Sequence, residues 1–378
     1  MIKVFTAFSG YDSQCLALNK LGIDYELVGW SEIDKYAIKA HNALFPQWAE
    51  RNYGDISKVD WAQVPDFDLF TYSSPCQDFS QAGLQRGGVK GSGTRSSLLW
   101  ECERAIIAKK PKYLLMENVA ALVSQKFIET FQQWMSLLDS YGYRNYAQVL
   151  NAKDYGVPQN RERIFLVSVR EDCLPEQYYF PKPQKLTRVM KDVLEQNVDE
   201  KYYLKDDMIA FFQSNTEKQK ANGNGFKFSP TNGGEPKILT RPHGYYKGEV
   251  KEKVAPAVKA SAYAENNYLQ EPINAMPDGT ATTLTTAHHY AGNIVNPKRG
   301  QTKMGVRENF RIRKLTPREC FRLMDVDDKY IDTIQAAGIS DSQQYKMAGN
   351  SIVVNVLTEI FRKLLVDTQN DDRQLRMF

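Results

Sequence analysis

The chain has 378 residues, a net charge of +4 and a hydrophobic fraction of 42%, which suits a globular protein with one large domain and a smaller one. No apolar run approaches the roughly 20 residues that span a membrane, and the acidic Asp12 comes too early for a secretory signal. The five cysteines are odd in number and lack Cys-x-x-Cys spacing, which indicates a reducing compartment and argues against a structural zinc site.

The first predicted element is a short apolar strand over residues 3–8. Ser9 and Gly10 break it before a helical stretch, and this order is typical of the first half of a nucleotide-binding βα unit. A second strand is predicted over residues 25–30, with Glu32 directly after it. An acid there can grip a ribose hydroxyl pair, because a carboxylate accepts two hydrogen bonds, although a lone acid is more often a surface charge.

A third strand begins at Phe67, after a helix predicted over residues 35–44, and ends at the turn Ser73-Ser74-Pro75. Cys76 therefore lies just past the carboxyl end of a strand, where ligands and catalytic groups collect in open α/β sheets. A thiol there can act as a nucleophile, whereas an isolated cysteine is more often a buried structural residue. The glycine-rich stretch from 81 to 95 that follows is interpreted as a lid.

Polar residues accompany two further predicted strands. Glu117-Asn118-Val119 follows the strand-like residues 113–116, and the segment that carries Gln159, Arg161 and Arg163 precedes a strand over 164–169. Because residues two apart in an extended segment share a face, both arginines can point at one site. A solvated, ion-paired face is the alternative. Between these strands, residues 127–138 have the apolar spacing of an amphipathic core helix.

The regular alternation of strands and helices stops near residue 183 and returns near 311. The segment between is polar and rich in turn signals, which predicts a second domain of loops and short strands. Residues 181–310 hold 19 basic and 14 acidic side chains, an excess that suits a polyanionic partner, although a solvated surface explains it equally well. His288-His289 has no acidic or cysteine partner at ligand spacing, so no metal site is expected.

In the last segment, Thr316 is predicted to cap a helix that starts at Pro317, and Gly349-Asn350-Ser351 leads into an apolar helix over 352–365. In these motifs and their order, the chain resembles the C5-cytosine methyltransferase family. The family carries Pro-Cys-Gln, Glu-Asn-Val and Gln-x-Arg-x-Arg in this order, and the matching residues are Pro75-Cys76-Gln77, Glu117-Asn118-Val119 and Gln159 to Arg163. One such tripeptide means little, but the ordered set is specific.

The resemblance covers most of the chain outside about 183–310. Phe8-Ser9-Gly10 is similar to the first part of the family motif Phe-x-Gly-x-Gly, but Asp12 stands where the family has its second glycine. The implied fold class is α/β, a Rossmann-like S-adenosylmethionine-dependent methyltransferase fold with a smaller, irregular target-recognition domain. The implied domains are 1–182 for catalysis and cofactor binding, 183–310 for target recognition, and 311–378 as the return segment with the C-terminal helix.

The resemblance implies a DNA (cytosine-5-)-methyltransferase that moves a methyl group from S-adenosyl-L-methionine to C5 of a flipped-out cytosine. The catalytic roles fall to Cys76, which adds to C6, to Glu117 at N3, to Arg163 at O2, and to Arg161, which braces the acid or a phosphate. The implied cofactor residues are Phe8, Ser9, Gly10, Glu32, Ile33, Asp55, Ile56, Pro75, Leu99, Asn350 and Ser351. The implied DNA contacts are Gln77, Ser80, Arg95, Gln159, Thr283 and Leu284.

Two alternatives share much of this pattern. A transfer-RNA cytosine-5 methyltransferase uses the same chemistry, but the Cys-Phe-Thr signature of that branch is absent, and the nearest string is Cys320-Phe321-Arg322. A catalytically inactive, sequence-specific DNA-binding protein is the other, although the thiol, acid and arginine positions are all filled. We expect a monomer in the cytoplasm of a bacterium or phage-infected cell, with double-stranded DNA as partner, no metal and no membrane. Its role would lie in a restriction-modification system or in orphan or phage DNA modification.

Overall fold

A computed structural model describes residues 1–75, 95–173, 177–203, 205, 207, 237–239, 255–256, 268–272 and 310–367. Several predicted residues lie outside these ranges. They are Cys76, Gln77, Ser80, Thr283, Leu284, the proposed lid and the histidine pair 288–289, together with the side chain of Arg95.

A mixed sheet of six strands forms the centre of the fold. In chain order the first seven strands are β1 (Ile2–Ala7), β2 (Tyr25–Ser31), β3 (Leu69–Tyr72), β4 (Tyr113–Val119), β5 (Tyr143–Asn151), β6 (Gln159–Asn160) and β7 (Glu162–Arg170). The sheet has the order β2-β1-β3-β4-β7-β5. Its first four strands are parallel, and β7 is antiparallel to both of its neighbours. Strand β1 lies between β2 and β3, so the chain passes from β1 to β2 on one side of it and then crosses to β3 on the other side. This reversal creates the switch point where open α/β sheets bind ligands.

The strands that the sequence predicts are all present, with longer or shifted bounds except for β3, which begins at Leu69 and not at Phe67. The difference that matters for the site concerns Glu117, Asn118 and Val119, which were predicted to follow a strand but belong to β4. The ladder with β7 explains this, because it pairs these three residues with Phe165, Ile164 and Arg163. An antiparallel partner thus extends the strand through polar residues that would end it on composition alone.

Helices cover both faces of the sheet, as parallel strands require. They are α1 (Ser13–Leu21), α2 (Lys35–Leu44), α3 (Glu101–Lys109) and α4 (Ile128–Ser140). Helix α3 directly follows a 3-10 helix over Arg95–Trp100. Tighter 3-10 turns are frequent at α-helix N-termini, and composition does not distinguish them.

The core consists of two apolar clusters, one on each face of the sheet. Successive strand residues point to opposite faces, so neighbours in sequence divide between the clusters. The cluster under α1 and α2 includes Val4, Leu27, Leu69, Leu115 and Val167. The cluster under α3 and α4 includes Phe5, Val28, Phe70, Leu114 and Leu166.

The described remainder of the chain has four short strands and four helices. They are β8 (Lys237–Leu239), β9 (Ala255–Pro256), β10 (Tyr268–Pro272), β11 (Phe310–Lys314), α5 (Pro317–Arg322), α6 (Asp328–Ala336), α7 (Asp341–Asn350) and α8 (Val354–Phe361). Strand β10 lies between β11 and β8, and β9 pairs with β6. The predicted cap at Thr316 is confirmed, since its side chain and that of Glu319 form a reciprocal capping box.

Helix α8 brings the end of the chain back to its beginning. Its apolar residues Leu357, Ile360 and Phe361 are buried in the same cluster as Leu16 and Ala17 of α1. The predicted helix over 352–365 is therefore present, although a π-helical turn, Arg362–Asp367, follows the α-helical part. None of the helices within the described ranges combines the length and apolarity needed to cross a membrane.

Candidate active site

A cavity of about 520 Å³ opens at the carboxyl ends of β1 to β4. Its lining comes from the segments that follow or end these strands, and from the link between α7 and α8. These segments are residues 8–10, 31–34, 73–75, 117–119 and 349–352. The cavity therefore lies at the switch point of the sheet, and both ends of the chain contribute to it.

The loop after β1 turns sharply and uses left-handed backbone conformations. Phe8, Gly10 and Asp12 have φ angles of 55°, 60° and 68°. Asp12 thus adopts the conformation that favours glycine, which aspartate tolerates better than most residues. Its carboxylate accepts a hydrogen bond from the Cys15 backbone N–H at 3.1 Å and caps α1. Asp12 therefore combines a left-handed backbone conformation with a side-chain cap that a glycine could not supply.

Glu32 is held in place by three backbone donors. Its carboxylate accepts hydrogen bonds from the N–H groups of Gly10 at 2.9 Å and of Ile33 and Asp34 at 2.8 Å. These bonds join the loop after β1 to the segment after β2. An ionised carboxylate has about four acceptor positions, so Glu32 retains capacity for a further donor in the cavity.

The neighbouring residues supply an apolar surface and a second acid. Both Ile33 and Ile56 line the cavity; Ile33 has 73% of its surface exposed, whereas Ile56 is buried. The hydroxyl and backbone N–H of Ser57 donate to Asp55 and lower the pKa of its carboxyl. Asp55 is therefore an ionised acceptor beside two apolar side chains, a combination that suits a purine ring and its amino group.

Ser9 offers a polar group that has no partner in the part of the chain that the structure describes. Its hydroxyl is buried and has no hydrogen-bond partner among the described residues, although it lines the cavity. A buried polar atom of this kind costs free energy unless a ligand or water satisfies it. With Glu32 and Asp55, the donor and acceptor set fits a nucleoside with a polar extension.

One predicted cofactor residue is replaced by its neighbour. Leu99 is 1% exposed and packs in the core cluster, whereas Leu98 lines the cavity. The two residues lie on the 3-10 helix Arg95–Trp100, where adjacent side chains point in different directions. The Leu99 side chain therefore lies in the core and that of Leu98 at the cavity, because of the phase of a turn that is not visible in the sequence.

Asn350 and Ser351 line the cavity from the other end of the chain. The Ser351 hydroxyl accepts a hydrogen bond from the Tyr11 phenol at 2.7 Å and donates one to the Ala348 carbonyl at 3.0 Å. Its hydroxyl is therefore already engaged within the protein. Asn350 is exposed, and the backbone carbonyls of its neighbours Gly349 and Ser351 both accept hydrogen bonds from Arg161.

Glu117 and Arg163 form a pair beside this segment. The β4–β7 register places Arg163 opposite Val119, so that Arg163 and Glu117 are diagonal neighbours on one face of the sheet. The Arg163 Nε lies 3.1 Å from a carboxylate oxygen of Glu117. Burial raises the pKa of Glu117 and outweighs the opposing influence of Arg163 and Arg161. The site thus holds a buried acid whose pKa lies above that of an exposed glutamate.

Arg161 also lines the cavity but points toward the end of the chain. It is 4% exposed, and its Nη2 donates to the carbonyls of Gly349 at 2.9 Å and Ser351 at 2.8 Å. Of the two roles considered from sequence, bracing is compatible with this position. Contact with a DNA phosphate is not, because the guanidinium is buried.

Asn118 holds the turn that leads to Cys76. Its side-chain amide donates to the Ser74 carbonyl at 3.2 Å, and Pro75 lines the cavity. The chain therefore leaves the described region at the edge of the cavity that holds Glu117. Spacing gave no signal for this role of Asn118, which depends on a contact between β4 and the turn after β3.

Gln159 does not face the cavity. Its side chain is 0% exposed, and its amide donates to the Leu323 carbonyl at 2.5 Å and contacts the Met324 sulfur. The prediction that Gln159 contacts DNA is therefore not supported. It assumed one extended face from 159 to 163, whereas the residues after α5 cover Gln159.

Lys346 is a cavity residue that sequence reasoning missed. It lies on α7 and forms an ion pair with Asp34, which caps α2. The pair joins two segments that are far apart in sequence, so local patterns gave no indication of it. Within the described ranges, no group of three or more His, Cys, Asp or Glu side chains is arranged to hold a metal ion.

Comparisons with known proteins agree with this geometry. The profile of the C-5 cytosine-specific DNA methylase family matches residues 2–366. The type II methyltransferase M2.ScrFI of Lactococcus lactis subsp. cremoris is 34% identical, over 96% of this chain and 99% of the relative. The orphan methyltransferase M.SPRI of Bacillus phage SPR is 31% identical, over 96% and 97%. The solved structure of the Entamoeba histolytica methyltransferase EhMeth superposes with a TM-score of 0.66 at 17% identity, covering 97% of this chain and 99% of that chain.

Proposed function

The chain belongs to the C-5 cytosine-specific DNA methylase family, and from this premise we propose that it methylates C5 of a cytosine within a specific double-stranded DNA sequence. S-adenosyl-L-methionine is the methyl donor. The observation that carries the proposal is one cavity lined both by Glu32, a fixed carboxylate suited to a ribose, and by the buried Glu117–Arg163 pair. The enzyme would serve a restriction-modification system or act as an orphan or phage modification enzyme in the cytoplasm, as a monomer.

The cofactor would be held by the segments after β1, β2 and β3. Glu32 would accept from the ribose hydroxyls, Asp55 from the adenine amino group, and Ile33 and Ile56 would pack on the ring. The Ser9 hydroxyl and Asn350 would bind the methionine end. Bound S-adenosylmethionine supplies an electrophilic methyl group on its sulfonium.

We expect Glu32→Gln to weaken S-adenosylmethionine binding by about 1 to 3 kcal/mol, the size of a hydrogen bond to a charged group. The amide nitrogen that replaces one carboxylate oxygen can donate but not accept a hydrogen bond. The backbone N–H group of Gly10 or of Ile33 would therefore lose its acceptor. Isothermal titration calorimetry measures the change. Glu26→Gln is the control, because Glu26 pairs with Arg51 on the surface outside the cavity and its loss should leave the affinity unchanged. Equal affinities for Glu32→Gln and wild type would refute the ribose assignment.

The reaction needs a nucleophile because C5 of cytosine does not attack a methyl sulfonium unaided. The Cys76 thiolate adds to C6, and the electron pair of the C5–C6 double bond is drawn toward N3 and O2. C5 then becomes nucleophilic and takes up the methyl group, and S-adenosylhomocysteine leaves with the electron pair of the broken sulfur–methyl bond. Water takes the C5 proton, the C–H electron pair re-forms the C5–C6 double bond, and the C6–S bond breaks with its electron pair returning to sulfur as the thiolate.

Glu117 and Arg163 would stabilise the charge that develops on the ring. Protonated Glu117 would donate to N3, and Arg163 would donate to O2. Arg161 would act indirectly, because it anchors residues 349–351 of the cofactor site and its charge also lowers the pKa of Glu117 against the effect of burial. The geometry of the acid would therefore depend on the same segment that binds the cofactor.

The cytosine must leave the duplex to reach this cavity, because stacking covers C5 and C6. Base flipping costs roughly a few kcal/mol, which DNA contacts must offset. By resemblance we assign such contacts to Gln77, Ser80, Arg95, Thr283 and Leu284. The division into 1–182, 183–310 and 311–378 is likewise proposed, and the packing of α8 on α1 supports assigning the last segment to the catalytic domain.

The test of this function is bisulfite sequencing of mixed-sequence DNA after incubation with the purified protein and S-adenosylmethionine. We expect protected cytosines that share one sequence context. Transfer RNA in a parallel reaction with tritiated cofactor tests the other substrate class. Labelled transfer RNA with unlabelled DNA, or no label in either, would contradict the proposal.

A further inference from the structure

Two residues of the loop after β1 take no part in lining the cavity. Tyr11 and Asp12 are both buried, although residues 8–10 and 13–14 on either side are cavity residues. Asp12 also stands where the family has a glycine. Their side chains point away from the cavity, toward two other parts of the fold.

Tyr11 ties the loop to the end of the chain. Its phenol donates to Ser351 at 2.7 Å, and its ring packs edge-on against Phe321 with centroids 5.5 Å apart. Burial raises the pKa of Tyr11, so the phenol remains a donor at physiological pH. The bond fixes the Ser351 hydroxyl, which in turn donates to the Ala348 carbonyl. Through this bond the loop holds the segment that carries Asn350.

Asp12 ties the loop in the other direction. Besides capping α1, its carboxylate accepts from the Thr6 hydroxyl at 2.8 Å and lies 3.5 Å from the His41 Nε2. The His41 ring stacks on Trp30 of β2 with centroids 3.7 Å apart. His41 belongs to α2, the helix that follows the segment of Glu32. Asp12 thus fixes the loop against β1 and α1, and its carboxylate lies beside His41 of α2.

We propose that Tyr11 and Asp12 are positioning residues that hold residues 8–12 in the conformation required for cofactor binding before the cofactor arrives. The inference rests on the proposed function. A loop with three left-handed residues is conformationally strained for the two that are not glycine, so other contacts must maintain it. Removing a tether lowers the fraction of molecules with a competent loop, and the apparent affinity falls by that fraction. Once the cofactor saturates the protein, the loop is in place and the reaction rate should change little.

The first test is Tyr11→Phe, which removes only the hydroxyl. We expect S-adenosylmethionine to bind about three- to tenfold more weakly by calorimetry, the range expected for one hydrogen bond. The KM for the cofactor should rise by the same factor, and kcat at saturation should stay within about twofold. Tyr143→Phe is the matched control, because its buried hydroxyl donates to the Pro111 carbonyl at 2.7 Å outside the cavity. It should lower thermal stability as Tyr11→Phe does, and leave cofactor affinity unchanged.

The second test is Asp12→Gly, which restores the family residue. We expect weaker cofactor binding, by about tenfold, because glycine keeps the turn but loses the cap and the bond to Thr6. Asp12→Asn should lose less than Asp12→Gly, since asparagine tolerates the left-handed region and its amide oxygen can cap α1.

The outcomes separate the inference from the function on which it rests. Wild-type affinity in both Tyr11→Phe and Asp12→Gly would overturn the inference, as would a fall in kcat at saturation with unchanged affinity. An Asp12→Asn variant as weak as Asp12→Gly would also overturn it, because charge and not position would then explain the effect. If the wild-type protein gives no binding heat with S-adenosylmethionine, the proposed function fails and the inference fails with it.

Discussion

Cys76→Ala should abolish methyl transfer, by at least about four orders of magnitude, while S-adenosylmethionine binds as in the wild type. Alanine cannot add to C6, so C5 never becomes nucleophilic, whereas the cofactor residues of the segments after β1 and β2 are untouched. Transfer of tritiated methyl groups to DNA measures the first quantity and calorimetry the second. Labelling of DNA at near wild-type rate would remove Cys76 from the mechanism.

The other cysteines that the structure describes are poor substitutes for this nucleophile. Burial raises the pKa of Cys15, Cys102, Cys173 and Cys320, so each remains a thiol at neutral pH. Cys173→Ala is the most informative control, because this partly exposed thiol lies at the end of β7, outside the cavity lining. It should retain wild-type activity. DNA that contains 5-fluorocytosine has no C5 proton to lose, so it should trap wild type and Cys173→Ala as covalent adducts, but not Cys76→Ala.

Strand ends were the part of the site that the sequence predicted well. The alternation of buried strands with helices is local information, and the carboxyl ends of parallel strands must meet at one edge of the sheet. Glu32 and Glu117 were placed in this way, Asp55 and Pro75 were implied by the family resemblance, and all four line the cavity. The spacing of Arg161 and Arg163 predicted that both could point at one site; both line the cavity, although the Arg161 guanidinium donates to the carbonyls of Gly349 and Ser351.

What the sequence did not predict depends on contacts between distant segments. Gln159 is covered by Leu323, a residue 164 positions away in sequence, so its burial has no local signature. Arg161 turns toward the carbonyls of Gly349 and Ser351 for the same kind of reason. That Leu98 and not Leu99 lines the cavity has a different cause. On the 3-10 helix, a shift of one residue changes which side chain faces the cavity.

Asp12 illustrates a third limit of sequence reasoning. Comparison with the family motif marked it as a departure, but the consequence could not be read from the motif. The structure shows that Asp12 has a φ of 68°, in the region that favours glycine, and that its side chain contacts Thr6 and Cys15. A residue that looks like a defect in a motif can therefore supply contacts that the motif residue could not make.

Glu117 gives the second large effect, and it should appear in the pH dependence of kcat. Burial raises the pKa of this carboxyl, so the proton that would bond to N3 is kept to higher pH than in an exposed glutamate. As the pH rises through the shifted value, the proton is lost and the donor with it, so methyl transfer should fall on the alkaline side. The Cys76 thiolate acts in the opposite direction, because its population grows with pH. A bell-shaped profile is expected.

Glu117→Gln separates these two limbs. The glutamine amide donates at every pH, so the falling limb should disappear and the rising limb should remain, with kcat lowered by about 100- to 1,000-fold. Glu101→Gln, on the exposed side of α3 where Glu101 pairs with Arg104, should keep both the rate and the bell shape. Rates are measured with saturating DNA and cofactor across the pH range. If Glu117→Gln keeps the alkaline limb of the wild type, that limb belongs to another group and Glu117 does not act as the proton donor to N3.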